Sequence, residues 1–174
     1  MIRVGIVDDH AIVRTGLRQF LSEQVDLRIS GEAANGREAL ELARGGETDV
    51  MLMDLSMPDQ GGVDALAAIK ARFPDLHVLI LSGFPEAHYA TTLLRQGASG
   101  YINKEADPEE IVKAIRTVAL GRRYITPAVA EMLADGMAAG GDRPAHETLS
   151  ERELQVFLRL AKGETIGHMA ESMF

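Results

Sequence analysis

The chain has 174 residues, a formal net charge of -8 and no cysteine. That length suits one domain of about 120 residues with a smaller unit after it, and the lack of cysteine excludes a disulfide framework, a thiolate metal site and a Cys nucleophile, in keeping with a reducing cytoplasm. The acidic balance excludes a broad nucleic-acid-binding surface over the whole chain, no apolar run reaches the roughly 18 residues of a membrane span, and residues 1–15 are too charged for a secretory signal.

Short apolar runs alternate with segments of helical period. Strand Val4–Val7 is followed by helix Ile12–Leu21, strand Leu27–Ala33, helix Arg37–Ala43 and strand Val50–Met53. Helix Val63–Ala71, strand Val78–Leu81, helix Ala87–Arg95 and the short strand Gly100–Ile102 complete the series. Asn35 with Glu38 forms a capping box, and Asp107, Pro108 and Glu110 supply a cap, a first-turn proline and an N3 acid for a fifth helix that closes near Leu120. Repeated βα units with apolar, non-alternating strands predict a five-stranded parallel, doubly wound α/β sheet in the common order 2-1-3-4-5, with helices on both faces.

Thr126 and Pro127 start a short helix that runs to about Asp135, and the Gly-, Ala- and Pro-rich stretch from Asp135 to Thr148 reads as a linker. Leu149–Leu154 then carries a second capping box, Ser150 to Glu153, with a hydrophobic staple from Leu149 to Leu154. The expected division is therefore a first domain over residues 1–120, a linker helix and flexible linker over 121–148, and the start of an all-α unit over 149–174.

In an open parallel sheet, ligands sit beyond the carboxyl ends of the strands where strand order reverses, here between strands one and three. Asp8 and Asp9 end strand one and Asp54 follows strand three. Three carboxylates in one crevice require a divalent cation or protonation, and an oxygen-only ligand set favours Mg²⁺. Strand four ends at Ser82 and strand five is followed by Lys104. A carboxylate beside a divalent cation, a hydroxyl and an ammonium form a constellation for an aspartyl phosphate, with Asp54 as the acceptor because it stands alone after its strand.

Asp8-Asp9, the run "DLSMPDQGG" from Asp54 to Gly62, Ser82, Tyr101 and Lys104 together resemble the receiver domain of two-component response regulators over residues 1–120. The resemblance implies a flavodoxin-like receiver fold with Asp54 phosphorylated by a sensor histidine kinase. It further implies that Asp8, Asp9, Asp54 and the backbone carbonyl of Ser56 serve Mg²⁺, that Lys104 contacts the phosphoryl group, and that Ser82 and Tyr101 form a switch pair. Gly61 and Glu105 stand where many receivers have Asp and Pro, the second departure being shared by the NarL/FixJ subfamily. Residues 148–174 resemble the opening of a LuxR-type helix-turn-helix of that subfamily, with the recognition helix missing from this sequence.

The expected function is thus a phosphorylation-dependent transcription regulator, homodimeric when phosphorylated. It would bind promoter DNA in its intact form but not as this chain, and it would have no membrane partner. The alternative is a receiver-based module that acts through protein contacts without DNA binding. A Mg²⁺-dependent phosphatase is disfavoured because position 56 is Ser, which cannot serve as the general acid. Beyond self-phosphorylation and self-dephosphorylation at Asp54, no enzyme activity is expected. His10 reads as a surface residue at a helix entry, since carboxylates already satisfy a hard cation.

Overall fold

The computed structural model describes residues 1–57, 62–83 and 86–138. The apolar runs form β1 (Ile2–Val7), β2 (Leu27–Ala33), β3 (Val50–Met53), β4 (His77–Ser82) and β5 (Gly100–Asn103). Between and after them lie α1 (Ala11–Ser22), α2 (Gly36–Arg44), α3 (Gly62–Arg72), α4 (Glu86–Arg95), α5 (Pro108–Ala119) and α6 (Pro127–Ala138). All five strands are parallel in the order β2-β1-β3-β4-β5, as the βα alternation implies.

Alternate side chains of each strand serve opposite faces. On one face Val4, Ile6, Leu52, Leu79 and Ile102 pack with residues of α1 and α5. On the other, Val7, Met51, Met53, Ile80 and Tyr101 pack with residues of α2, α3 and α4. Burial on both sides explains why the strands read as continuous apolar runs.

The ends of several elements differ from the sequence reading. β1 begins at Ile2 because Ile2 and Arg3 pair with Leu27 and Arg28, and Asp49 accepts hydrogen bonds from Arg3 N at 2.8 Å and Arg3 Nη2 at 2.6 Å. Asn35 Oδ1 caps Glu38 N at 2.9 Å, while the returning Glu38 carboxylate accepts from Ala34 N, one residue short of the reciprocal partner. Asp107 holds the cap position of α5 without a side-chain cap bond, so Pro108 at the first helical position carries that start.

The segment after α5 returns to the sheet. Tyr124 N donates to Ser99 O at 2.9 Å, Tyr124 bridges Gly100 in parallel, and Tyr124 Oη donates to Glu110 Oε1 at 2.7 Å. α6 packs on α4, and Val129 is buried in the same core cluster as Tyr101. It runs through Ala138, taking in Gly136 to Ala138, which the sequence reading gave to the linker; Ala134, Met137 and Ala138 are strong helix formers that offset Gly136. Residues 139–174, with the rest of the expected linker and the helix-turn-helix, lie outside the described residues, as do 58–61 and 84–85. Among the described residues no helix is long and apolar enough to cross a membrane.

Candidate functional site

Register carries the chemistry-bearing residues to one edge. Val7 pairs with both Ala33 and Met53, Met53 with Ile80, and Ser82 with Asn103, so the residues after β1, β3, β4 and β5 emerge at the same end of the sheet. Asp8 N donates to Ala33 O at 3.1 Å and Asp54 N to Val7 O at 2.8 Å, which extends the ladder one residue and fixes where both carboxylates start. Lys104 N donates to Ser82 O at 2.8 Å and fixes the root of the lysine in the same way.

Asp8 and Asp54 are only 1% and 2% exposed. Lys104 Nζ donates to Asp8 Oδ2 at 2.6 Å and stands 2.9 Å from Asp54 Oδ2. Burial works against the Lys104 ammonium, but the hydrogen bond to Asp8 and the charges of Asp54 and Asp8 outweigh it and hold its pKa above the ordinary lysine value. The ammonium is thus shared between the two buried carboxylates, and Asp9 Oδ1 is buried beside them without a hydrogen-bond partner. Asp8 Oδ1 accepts from His10 N at 2.8 Å and Asp54 Oδ1 from Ser56 N at 3.1 Å. Each carboxylate therefore caps its own turn with one oxygen and turns the other toward Lys104.

Asp8, Asp9, His10 and Asp54 each place one ligand atom within 4.8 Å of the others. Three carboxylates against the single ammonium of Lys104 leave a formal charge of -2, the complement of one divalent cation. With carboxylate oxygens in the majority and Asp9 Oδ1 buried without a hydrogen-bond partner, the residues fit Mg²⁺.

The sequence matches the response regulator receiver domain family over residues 4–116. The chain belongs to that family. The response regulator UvrY of Escherichia coli K12 is 36% identical over 174 residues, covering 99% of this chain and 80% of the relative. A two-component response regulator of the LuxR family from Aurantimonas sp. SI85-9A1 superposes with a TM-score of 0.72 at 34% identity, over 78% of this chain and 97% of the other. The RcsB response regulator of Salmonella typhimurium, solved for its conformational dynamism in DNA interaction, reaches a TM-score of 0.75 at 25% identity over 99% of this chain and 81% of that one. The protein is a two-component response regulator of the NarL/FixJ kind.

In this receiver Ser82 is fully buried at the end of β4 and Tyr101 is 2% exposed within β5, beside it in the sheet order. Ser56 is half-buried two residues after Asp54. Two residues that sequence reasoning did not bring to the site reach it. Arg14 Nη1 donates to Asp8 O at 2.6 Å, its Nε lies 3.5 Å from Glu32 Oε2, and Arg18 Nη1 donates to Glu32 Oε1 at 3.1 Å, so α1 and β2 clamp the Asp8 backbone. His10 turns its ring nitrogen toward the acidic pair, 3.2 Å from Asp8 Oδ1 and 2.9 Å from Asp9 Oδ1. The only sequence signal for Arg14 was its position one turn past Asp8-Asp9 on a predicted helix.

Proposed function

We propose that Asp54 accepts a phosphoryl group from a sensor histidine kinase and that the added charge switches a transcriptional output. The observation that carries this reading is the buried Asp54 Oδ2, which stands 2.9 Å from Lys104 Nζ in the crevice shared with Asp8 and Asp9. A carboxylate oxygen so placed can attack phosphorus while the neighbouring ammonium balances the developing charge. In the transfer, Asp54 forms a new O–P bond, the donor's bond to phosphorus breaks, and its electron pair leaves with the donor. Asp8, Asp9, Asp54 and the Ser56 carbonyl would hold Mg²⁺, which neutralises charge on the phosphoryl oxygens. Lys104 passes from the carboxylates toward the phosphoryl oxygens, and the Ser82 hydroxyl donates to one of them.

Tyr101 is the second member of the switch. As Ser82 moves toward the phosphoryl group, Tyr101 follows and alters the face built by α4, β5 and α5. That face controls homodimerisation and, through the linker over 121–148, the LuxR-type helix-turn-helix that begins at 149. The RcsB neighbours, one of them solved bound to a promoter, support promoter DNA as the target of the intact protein. The response-regulator relatives support a cytoplasmic location. Beyond autophosphorylation and autodephosphorylation at Asp54, the chain catalyses no reaction.

The test is the intact mass of the chain after incubation with Mg²⁺ and a small acyl phosphate. Wild type should gain one phosphoryl group and Asp54→Asn none. Equal labelling of both would place the acceptor elsewhere.

A further inference from the structure

Asp8 has a partner for every polar atom. Its N–H donates to Ala33 O at 3.1 Å, Oδ1 accepts from His10 N at 2.8 Å, and Oδ2 accepts from Lys104 Nζ at 2.6 Å. The carbonyl oxygen is held from α1, by Arg14 Nη1 at 2.6 Å. Arg14 N also donates to His10 O at 3.1 Å, so one residue grips the turn over 8–10 at both ends. Between those grips lies Asp9, whose buried Oδ1 has no hydrogen-bond partner. The His10 ring beside it, at 2.9 Å, is itself 60% exposed and gives a weak hold. The aim of the Asp9 carboxylate therefore depends on the backbone of the turn. The guanidinium is aimed in its turn from the neighbouring strand: Glu32 Oε2 lies 3.5 Å from Arg14 Nε, and Glu32 Oε1 accepts from Arg18 Nη1 at 3.1 Å. Arg14 keeps only 18% of its side chain exposed, so packing as well as charge fixes the fork.

We propose that Arg14 is a positioning residue for phosphoryl transfer at Asp54, one that sets the place of Asp9 by fixing the carbonyl of Asp8. The proposal rests on the reading of Asp54 as the acceptor and of Asp8 and Asp9 as carboxylates for Mg²⁺. Two roles are open to a guanidinium here, and they act in opposite directions. As a charge it repels Mg²⁺, so a neutral replacement would tighten binding. As a brace it keeps the carboxylates where the ion needs them, and its loss would weaken binding; outer contacts of this kind are worth about 10–100-fold in metal affinity. The short contact with Asp8 O and the burial of the side chain favour the brace. Lysine replaces it only in part, because an ammonium is a single point donor whereas the guanidinium fork faces Asp8 O and Glu32 with different nitrogens. Glu32 joins the brace to β2, where Glu32 and Ala33 pair with Ile6 and Val7 just before the acidic turn.

The experiment measures Mg²⁺ affinity by calorimetry, and labelling by a small acyl phosphate across Mg²⁺ concentrations, for the full chain as wild type, Arg14→Gln, Arg14→Lys and Glu32→Gln. Exchange of the His10 amide, which closes the turn on Asp8 Oδ1, is followed in protein stripped of divalent ions. The expected result is that Arg14→Gln weakens Mg²⁺ binding about tenfold and raises the Mg²⁺ concentration for half-maximal labelling by the same factor. Arg14→Lys should fall between it and wild type, Glu32→Gln should show a smaller shift in the same direction, and the His10 amide of Arg14→Gln should exchange faster without the ion. Arg14→Lys and Glu32→Gln carry the same test if Arg14→Gln does not fold. Lower stability in urea with unchanged Mg²⁺ affinity overturns the proposal, because Arg14 would then serve the fold alone. Tighter binding by Arg14→Gln overturns it as well, since charge and not contact would govern; both results leave the acceptor reading standing. If wild type neither binds Mg²⁺ nor takes the label, that reading falls and the proposal with it.

Discussion

Replacing Lys104 by Met removes the cation that faces two buried carboxylates while keeping a side chain of similar length. Lys104 makes one charge-assisted hydrogen bond at 2.6 Å to Asp8 and one ion pair at 2.9 Å to Asp54. A hydrogen bond to a charged group contributes about 1.5–3 kcal/mol, and breaking a fully buried pair costs about 3–5 kcal/mol. Lys104 keeps 22% of its side chain exposed, which moves the expectation to the lower part of that span. Lys104→Met should therefore cost about 2–3 kcal/mol in buffer freed of divalent ions, or about 1 M in the urea midpoint. Added Mg²⁺ should recover part of the loss, because an ion that binds only the folded form stabilises it by mass action. The folded pKa of Lys104 lies above its unfolded value, so its contribution is complete below about pH 10.4 and fades as pH rises through the folded pKa. The gap between wild type and variant should thus be constant from neutral pH to about pH 10 and narrow above it. Urea unfolding across that range is the assay. A difference below about 0.5 kcal/mol at neutral pH without divalent ions would refute the idea that the ammonium holds the carboxylates together.

Gly62 has no space for a side chain: a Cβ there would stand 2.3 Å from Asp54 O and 2.5 Å from Leu55 Cα. Gly62→Ala should cost about 2–3 kcal/mol and weaken Mg²⁺ binding through the displaced Asp54 backbone, whereas a loss under 1 kcal/mol in urea would show that the loop yields freely. Gly16 sits exposed inside α1 with open space where a Cβ would go, so Gly16→Ala should stabilise the fold by about 0.5–1 kcal/mol; a lower melting temperature would contradict this. Burial, together with the charge of Lys70, holds His77 below the ordinary histidine pKa. The unfolded chain then binds that proton more readily, so stability is complete above about pH 6.5 and declines as pH falls through the folded pKa. Urea midpoints at pH 7.5, 6.5 and 5.5 should fall for wild type and fall less for His77→Gln; parallel curves would remove His77 from the account.

The sheet was legible because its strands are buried on both faces. Val50–Met53 shows this best, with an acid at each end and no polar residue within. β1 was read short because Arg3 interrupts the apolar run, and its compensation lies with Asp49, far along the chain. The contact between Lys104 and Asp8 spans 96 positions and is invisible to any local pattern, yet strand order alone forecasts it. Topology supplies long-range proximity when each residue ends a strand. His10 and Arg14 escaped for the opposite reason. Both lie beyond a strand end, and their aim depends on the turn that Asp8 Oδ1 closes with His10 N, a conformation that no periodicity encodes.

On the proposed switch, packing gives the acidic edge a route to the end of the described chain. Lys104 is rooted by its N–H on Ser82 O, which ties the ends of β4 and β5 together. At the start of β5, Gly100 admits Tyr124 against the strand, since a Cβ there would meet atoms of Leu79 and Tyr124 at 2.8–2.9 Å. Tyr101 then shares its core cluster with Val129 of α6 and with Leu93 and Leu94 of α4. A strand four residues long therefore carries the root of Lys104 at one end and the mooring of the following segment at the other. In a close-packed interior, a side chain the size of Tyr101 cannot move unless its neighbours give way. On the proposed switch, charge at Asp54 pulls on Lys104 and Ser82, and the response reaches α6 through packed strand and helix residues. On that proposal, α6 takes the signal from the α4 and β5 side of the sheet, opposite the β2 edge where Glu32 and α1 hold Arg14.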